Sequence, residues 1–135
     1  MILDDTHATV FRRMLALRTV APFDRLSENE LSLIAEVAEP RLASPGEIVH
    51  LGGAPLSSLW VTIEGGLLHP DGSPAERVNG LSALLRHALT PELRAGPEGA
   101  RIFVLTKGYF FTLTRECPAF VLGLLTGGHD RSAAP

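Results

Sequence analysis

The chain is 135 residues long, 45% of them apolar, and carries a formal net charge of −3. That length and apolar share suit one packed domain and exclude a disordered chain, while the mild negative charge leaves no electrostatic footprint for nucleic acid. No apolar run approaches the ~18 residues that span a bilayer. The start, Met1-Ile2-Leu3-Asp4-Asp5, has acid where a secretory signal has base. The lone cysteine, Cys117, excludes an intramolecular disulfide and fits the reducing cytoplasm, where the protein is expected to reside. Thirteen glycines and ten prolines imply many turns and short strands.

In chain order, residues 9–18 read as a helix, with Phe11, Met14 and Leu15 on one apolar face and Arg12, Arg13 and Arg18 beside it as a solvated face. Ala21-Pro22 closes this segment. Residues 26–39 form the best-specified helix. Ser27 and Glu30 make a capping box, Leu26 and Leu31 flank it as a staple, and Leu31, Ile34, Ala35 and Ala38 line one face. Glu28, Glu30, Glu36 and Glu39 are its solvated acids, and Pro40 stops it.

Short strands follow. Pro45-Gly46 occupies the middle of a turn, residues 47–51 extend, and Gly52-Gly53 breaks the strand. In residues 59–63 the alternation puts Leu59, Val61 and Ile63 on one face. Gly65-Gly66 is expected to turn the chain, and Asp71-Gly72 marks a hairpin between Leu67-Leu68 and Arg77-Val78. Residues 81–87 suit one or two helical turns, residues 90–99 look irregular, and residues 101–106 read as a buried strand. Residues 109–116 and 118–125 close the chain as helices, with Pro118 at a first helical position and a tail from Gly127. Strands grouped between terminal helices define an α+β fold with an antiparallel barrel or sandwich. The expected division is an N-terminal segment 1–8, a domain 9–126 and a flexible tail 127–135.

The chain offers no catalytic constellation. His7, His50, His69, His87 and His129 form no pair at metal-ligand spacing, and neither a Cys-x-x-Cys nor a Gly-x-Ser-x-Gly occurs. Cys117 stands at a helix start, where the dipole lowers a thiol pKa, but a structural role is the simpler reading.

Leu17-Arg18-Thr19-Val20, Phe23, Leu26-Ser27, Glu30-Leu31 and Ile34-Ala35 resemble the helical opening of a cyclic nucleotide-binding domain. Pro45-Gly46-Glu47-Ile48-Val49, Gly52-Gly53 and the stretch from Leu59 to Leu67 resemble its first hairpins. The run Arg101-Ile102-Phe103-Val104-Leu105 with Phe110, Leu113 and Cys117-Pro118 is similar to its last strand and following helix. The resemblance spans about residues 10–125 and rests on the order and spacing of loose motifs. It implies an antiparallel, jelly-roll-like β-roll flanked by N- and C-terminal helices, as in the catabolite activator protein and protein kinase A regulatory subunits.

The ligand site of that family is a phosphate-binding cassette, Gly-Glu-x-Ala-x-Leu followed by Pro-Arg-x-Ala. Such a site needs a helix N-terminus for the cyclic phosphate, an arginine for its charge and a carboxylate for the ribose. The candidate here is Asn79 and then Gly80-Leu81-Ser82-Ala83-Leu84-Leu85. Leu81 stands where the glutamate belongs, and the arginine position, counted back from Leu93-Arg94-Ala95, falls near Leu89. The single Pro-Arg pair in the chain is Pro40-Arg41, outside the cassette, which leaves Arg86 and Arg94 as substitute cations. Losing a charge-assisted pair costs ~2–5 kcal/mol, so tight binding of cAMP or cGMP is not expected.

Leu84, Leu85, Tyr109, Phe110 and Phe111 read as core. The final helix, apolar at Phe120, Val121, Leu122, Leu124 and Leu125, needs a surface to bury against. Phe120, Val121, Leu124 and Leu125 are therefore the candidate contact with a protein partner or a second copy. The first reading is a non-enzymatic regulatory or interaction module without a cofactor, metal, nucleic acid or membrane. With about ten residues after Leu125, DNA binding through a helix-turn-helix is not expected. The alternatives are a sensor that binds a cyclic nucleotide or another small anion through an altered cassette, and a cupin-like metal enzyme on a similar roll.

Overall fold

In the computed structural model the backbone is described for residues 5–133 and the side chains for residues 9–125. The chain divides into two compact units, one of Met1–Val37 with Phe111–Pro135 and one of Ala38–Phe110.

The first unit is helical. It holds α1 (Asp5–Leu17), a 3-10 turn (Phe23–Arg25), α2 (Glu28–Val37), most of α4 (Lys107–Glu116) and α5 (Pro118–Ala133). The capping box forms as the sequence predicts. The Ser27 amide donates to Glu30 Oε1 at 3.0 Å, and the Glu30 amide donates to Ser27 Oγ at 3.2 Å. Leu31, Ile34 and Ala35 are fully buried along α2. The Arg13 guanidinium reaches from α1 to the Ala35 carbonyl at 3.2 Å.

The face expected for α1 is corrected. Phe11 and Leu15 are more than half exposed, and the helix buries Leu17 instead. The period is right and its phase is wrong, because Phe11-Met14-Leu15 and Met14-Leu17 both satisfy helical spacing. Two outer segments also differ. Helix α1 takes in residues 5–8, and α5 stays helical to Ala133, through the stretch read as a tail.

The second unit is an antiparallel sheet made of β1 (Glu39–Ala43), β2 (Ile48–His50), β3 (Ser58–Leu68), β4 (Val78–Asn79) and β5 (Leu93–Thr106), with α3 (Leu81–Arg86) between the last two strands. The order is β1-β5-β3-β4, and β2 also pairs with β5. Strand β5 is therefore the hub. Its second half pairs with β1, from Glu39↔Val104 to Ala43↔Ala100, and its first half takes β2 at Leu93 and Arg94. One strand serving both neighbours in turn bends the sheet into a roll.

Two glycines make that bend. Gly65 has φ +69°, and a Cβ on it would strike the Gly99 carbonyl. Gly99 has φ +76°, and a Cβ there would lie 2.6 Å from the Ala43 carbonyl. The expected turn at Gly65-Gly66 is thus a register shift inside a continuous β3, and the segment 90–99 read as irregular supplies the start of β5. Glycine and proline signalled a break in both places, where the chain uses them to curve a strand.

The remaining turns follow the sequence. The Glu47 amide donates to the Ser44 carbonyl at 3.0 Å around Pro45-Gly46. At Asp71-Gly72 the Gly72 amide closes on the His69 carbonyl at 2.9 Å, but the expected arms are corrected: Leu68 bridges Pro74, and Val78 pairs with Val61 instead of with Leu67-Leu68. The alternation expected in β3 is exceeded, since Leu59, Trp60, Val61 and Thr62 are all buried while Ile63 is only half-buried. Both faces of this strand are covered.

Candidate ligand site

Strand β4 leads straight into the candidate cassette. Asn79 pairs with Trp60 across β3, and its side-chain amide donates to the Glu76 carbonyl at 2.7 Å. Gly80 then adopts φ +105°, and a Cβ there would strike the Ser58 carbonyl, so only glycine fits before α3. The six-residue helix ends at His87, itself left-handed at φ 55°. The His87 amide donates to the Ala83 carbonyl at 2.9 Å, and the Ala88 amide to Ser82 at 3.4 Å.

Gly80, Leu81, Ser82 and Ala83 are brought together at the start of this short helix, with Ala83 and Leu84 buried. Leu85 is 43% exposed, which corrects its reading as core. No carboxylate stands in this segment, and Leu81 occupies the expected position. Beyond the helix, Leu89 is exposed. Thr90 is pinned, its amide donating to the Ala54 carbonyl at 3.1 Å and its hydroxyl accepting the Leu56 amide at 3.1 Å.

The two substitute cations are placed apart from that helix start. Arg86 ends α3 and is exposed. Arg94 lies on β5 between the buried Leu93 and Ala95, so its side chain leaves the opposite face, where it pairs with Glu92 at 3.2 Å.

The inner face of the roll is mostly apolar. Val49, Leu56, Trp60, Leu67, Leu93 and Ile102 form its buried cluster together with four alanines, Ala83 of α3 among them. Three polar side chains to which the sequence reading gave no binding role reach this face. Arg41 and Thr62 both stand directly opposite Ile102, one on each side, so all three side chains point the same way. The Arg41 guanidinium carbon lies 5.3 Å from the centre of the Trp60 ring, and its Nη2 is 3.8 Å from Glu47. Thr62 Oγ1 is buried without a hydrogen-bond partner. His50 meets Trp60 edge-on at 6.4 Å, and its Nε2 lies 3.1 Å from the Ala54 carbonyl. The signal for these residues was the parity of β1 and β3, unreadable before the register with β5 was known.

Among the described residues no group of three or more His, Cys, Asp and Glu side chains is placed to hold a metal ion, and no helix is long and apolar enough to cross a membrane. The side chains of His7 and His129 lie outside the described residues. The Cys117 thiol is buried, and its pKa is pushed up by that burial and then by Glu30 and Glu116, the opposite of activation by a helix dipole and in keeping with a structural role. Two of the four expected contact residues on α5 are corrected. Phe120 and Leu124 are buried in the helical unit, Phe120 against Phe23 with ring centres 5.4 Å apart. Leu122 and Leu125 remain exposed, and Val121 is half-buried.

Neither a protein-family model nor a curated protein matches the chain. Solved structures do. A cAMP-bound PfPKA-R structure matches at 16% identity with a TM-score of 0.71, covering 82% of this chain and 42% of its own. A PKAR CBD2 bound to Sp-2Cl-cAMPS matches at 14% identity and TM-score 0.73, covering 94% of this chain and 91% of its own. The regulatory domain of Toxoplasma gondii PKA with cAMP matches at 15% identity and TM-score 0.71, covering 93% of this chain and 51% of its own. The chain thus spans about half or less of two of these three neighbours. The fold is the α+β roll of cyclic nucleotide-binding domains.

Proposed function

We propose that this chain is a non-enzymatic regulatory or interaction module of the cytoplasm, with a cyclic nucleotide-binding fold over residues 9–126 and weak or no affinity for cAMP and cGMP. The observation that carries this reading is the cassette itself. Its glycine and helix are built, but Leu81 replaces the carboxylate, and the segment after the helix is neutral at Leu89 and Thr90. Aliphatic side chains around Trp60 line the inner face where a polar nucleotide would need partners. The exposed Leu122 and Leu125 with Val121 support a protein contact along α5.

Thermal unfolding tests this reading. A ligand at ~1,000 times its dissociation constant stabilises a protein by ~4 kcal/mol. Millimolar cAMP or cGMP is expected to leave the melting temperature unchanged, and a shift of several degrees contradicts the proposal.

A second reading, a sensor of a small anion, is favoured by one observation, the Arg41 guanidinium on the inner face.

A further inference from the structure

We propose that the inner face of the roll holds a small oxyanion, a carboxylate or a phosphate, between Arg41 and Thr62, with the Trp60 ring as the platform for the Arg41 guanidinium. The inference deepens the anion-sensing reading and does not depend on the cassette.

Arg41 carries the argument. Its planar fork of five N–H donors matches carboxylate and phosphate oxygens two at a time. Among the described residues the guanidinium makes no hydrogen bond. Its one ion pair, with Glu47, is at 3.8 Å, beyond hydrogen-bond range. The Trp60 face holds it in place through a cation–π contact. The side chain is 37% exposed, so solutes reach it from the rim.

Thr62 is the second, independent observation. Its hydroxyl is buried and unpartnered on the same face, one strand beyond Ile102. Folded proteins leave few such groups without a partner, so an orphan here marks a place where something else supplies the bond. An oxyanion bridging the two residues accepts from the guanidinium and from the hydroxyl together. Glu47 and Glu39, the latter on the row of Val104 and Trp60, are the opposing acids. They hold the affinity down and select a small ligand that displaces Glu47.

Trp60 is the chain's single tryptophan, so indole fluorescence reports this site alone. The whole chain is titrated with sodium phosphate and with sodium acetate, each against sodium chloride at equal ionic strength. The expected result is a saturable change with phosphate or acetate at a roughly millimolar midpoint. It should be absent in Arg41→Gln and about tenfold weaker in Thr62→Val. A wild-type response no different from chloride overturns the site, and so does an Arg41→Gln protein that titrates like wild type. If Arg41→Gln does not fold, amide and guanidinium NMR shifts of the wild type under phosphate decide. Shifts at Arg41 and Thr62 support the site, and shifts confined to other residues refute it. A cAMP response that ignores Arg41 contradicts the proposed function and leaves this site standing.

Discussion

The Thr90 hydroxyl accepts the Leu56 amide at 3.1 Å, so a neutral side chain, already engaged with the backbone, stands beside the position where the resemblance requires a cation. The 54–56 segment and the chain after α3 are tied to each other. On the proposed reading this segment serves as a structural corner of the roll, with Gly80 required beside the Ser58 carbonyl and Leu81 where the resemblance calls for an acid.

The bend at Gly65 can be weighed against its neighbour. Gly65→Ala forces a left-handed alanine onto the Gly99 carbonyl. It is expected to cost about 3 kcal/mol in urea unfolding. Gly66→Ala meets no atom within 4 Å and has an ordinary φ. It should cost less than about 1 kcal/mol. Equal losses in both variants would show that β3 does not run through this point.

The capping box fixes where α2 begins. Ser27→Ala removes the acceptor for the Glu30 amide and is expected to lower stability by about 1 kcal/mol, measured by thermal or urea unfolding. Glu30→Gln keeps an acceptor for the Ser27 amide and should stay close to wild type.

Two residues of α5 separate surface from core. Leu125→Asp is expected to leave the unfolding midpoint near wild type and to turn any dimer into monomer in sedimentation, since Leu125 is 47% exposed. Phe120→Ala opens a cavity beside Phe23 and is expected to cost about 3–5 kcal/mol. Unchanged sedimentation of a self-associating protein after Leu125→Asp would remove α5 as the contact.

Cys117 sets a pH dependence at the alkaline end. Its pKa is raised in the folded protein by burial, so the native thiol stays protonated while the unfolded one ionises from about pH 8.5. The resulting stabilisation is fully present below that pH and fades as pH rises toward the folded value. Cys117→Ala should flatten the decline in stability above about pH 8.5. In the native wild type, a thiol reagent is expected to react slowly until denaturant is added.

What was legible in the sequence was local chemistry. Ser27 with Glu30, Pro45-Gly46 and Asp71-Gly72 each specify their structure through neighbours three or four residues away, and each forms. Gly80 was legible through the resemblance, while the Ser58 carbonyl that requires it lies on a distant strand. Long-range register was not. Gly65-Gly66 and the 90–99 stretch carry breaker residues that fold into strands because a distant partner supplies the other half of the ladder. The inner placement of Arg41 and Thr62 needed Ile102 as a common reference. Phe120 and Leu124 looked like a surface because the α5 sequence alone does not reveal that Phe23 lies against it. The fold was legible through the order of its motifs, whereas the polar residues of the roll interior were not.

The account is tested most directly by isothermal calorimetry of the wild-type chain with cAMP, cGMP and cyclic dinucleotides. It predicts no saturable heat at micromolar ligand, because the helix that should hold the phosphate and ribose offers neither charge. Saturable binding at micromolar concentrations, one nucleotide per chain, would contradict it.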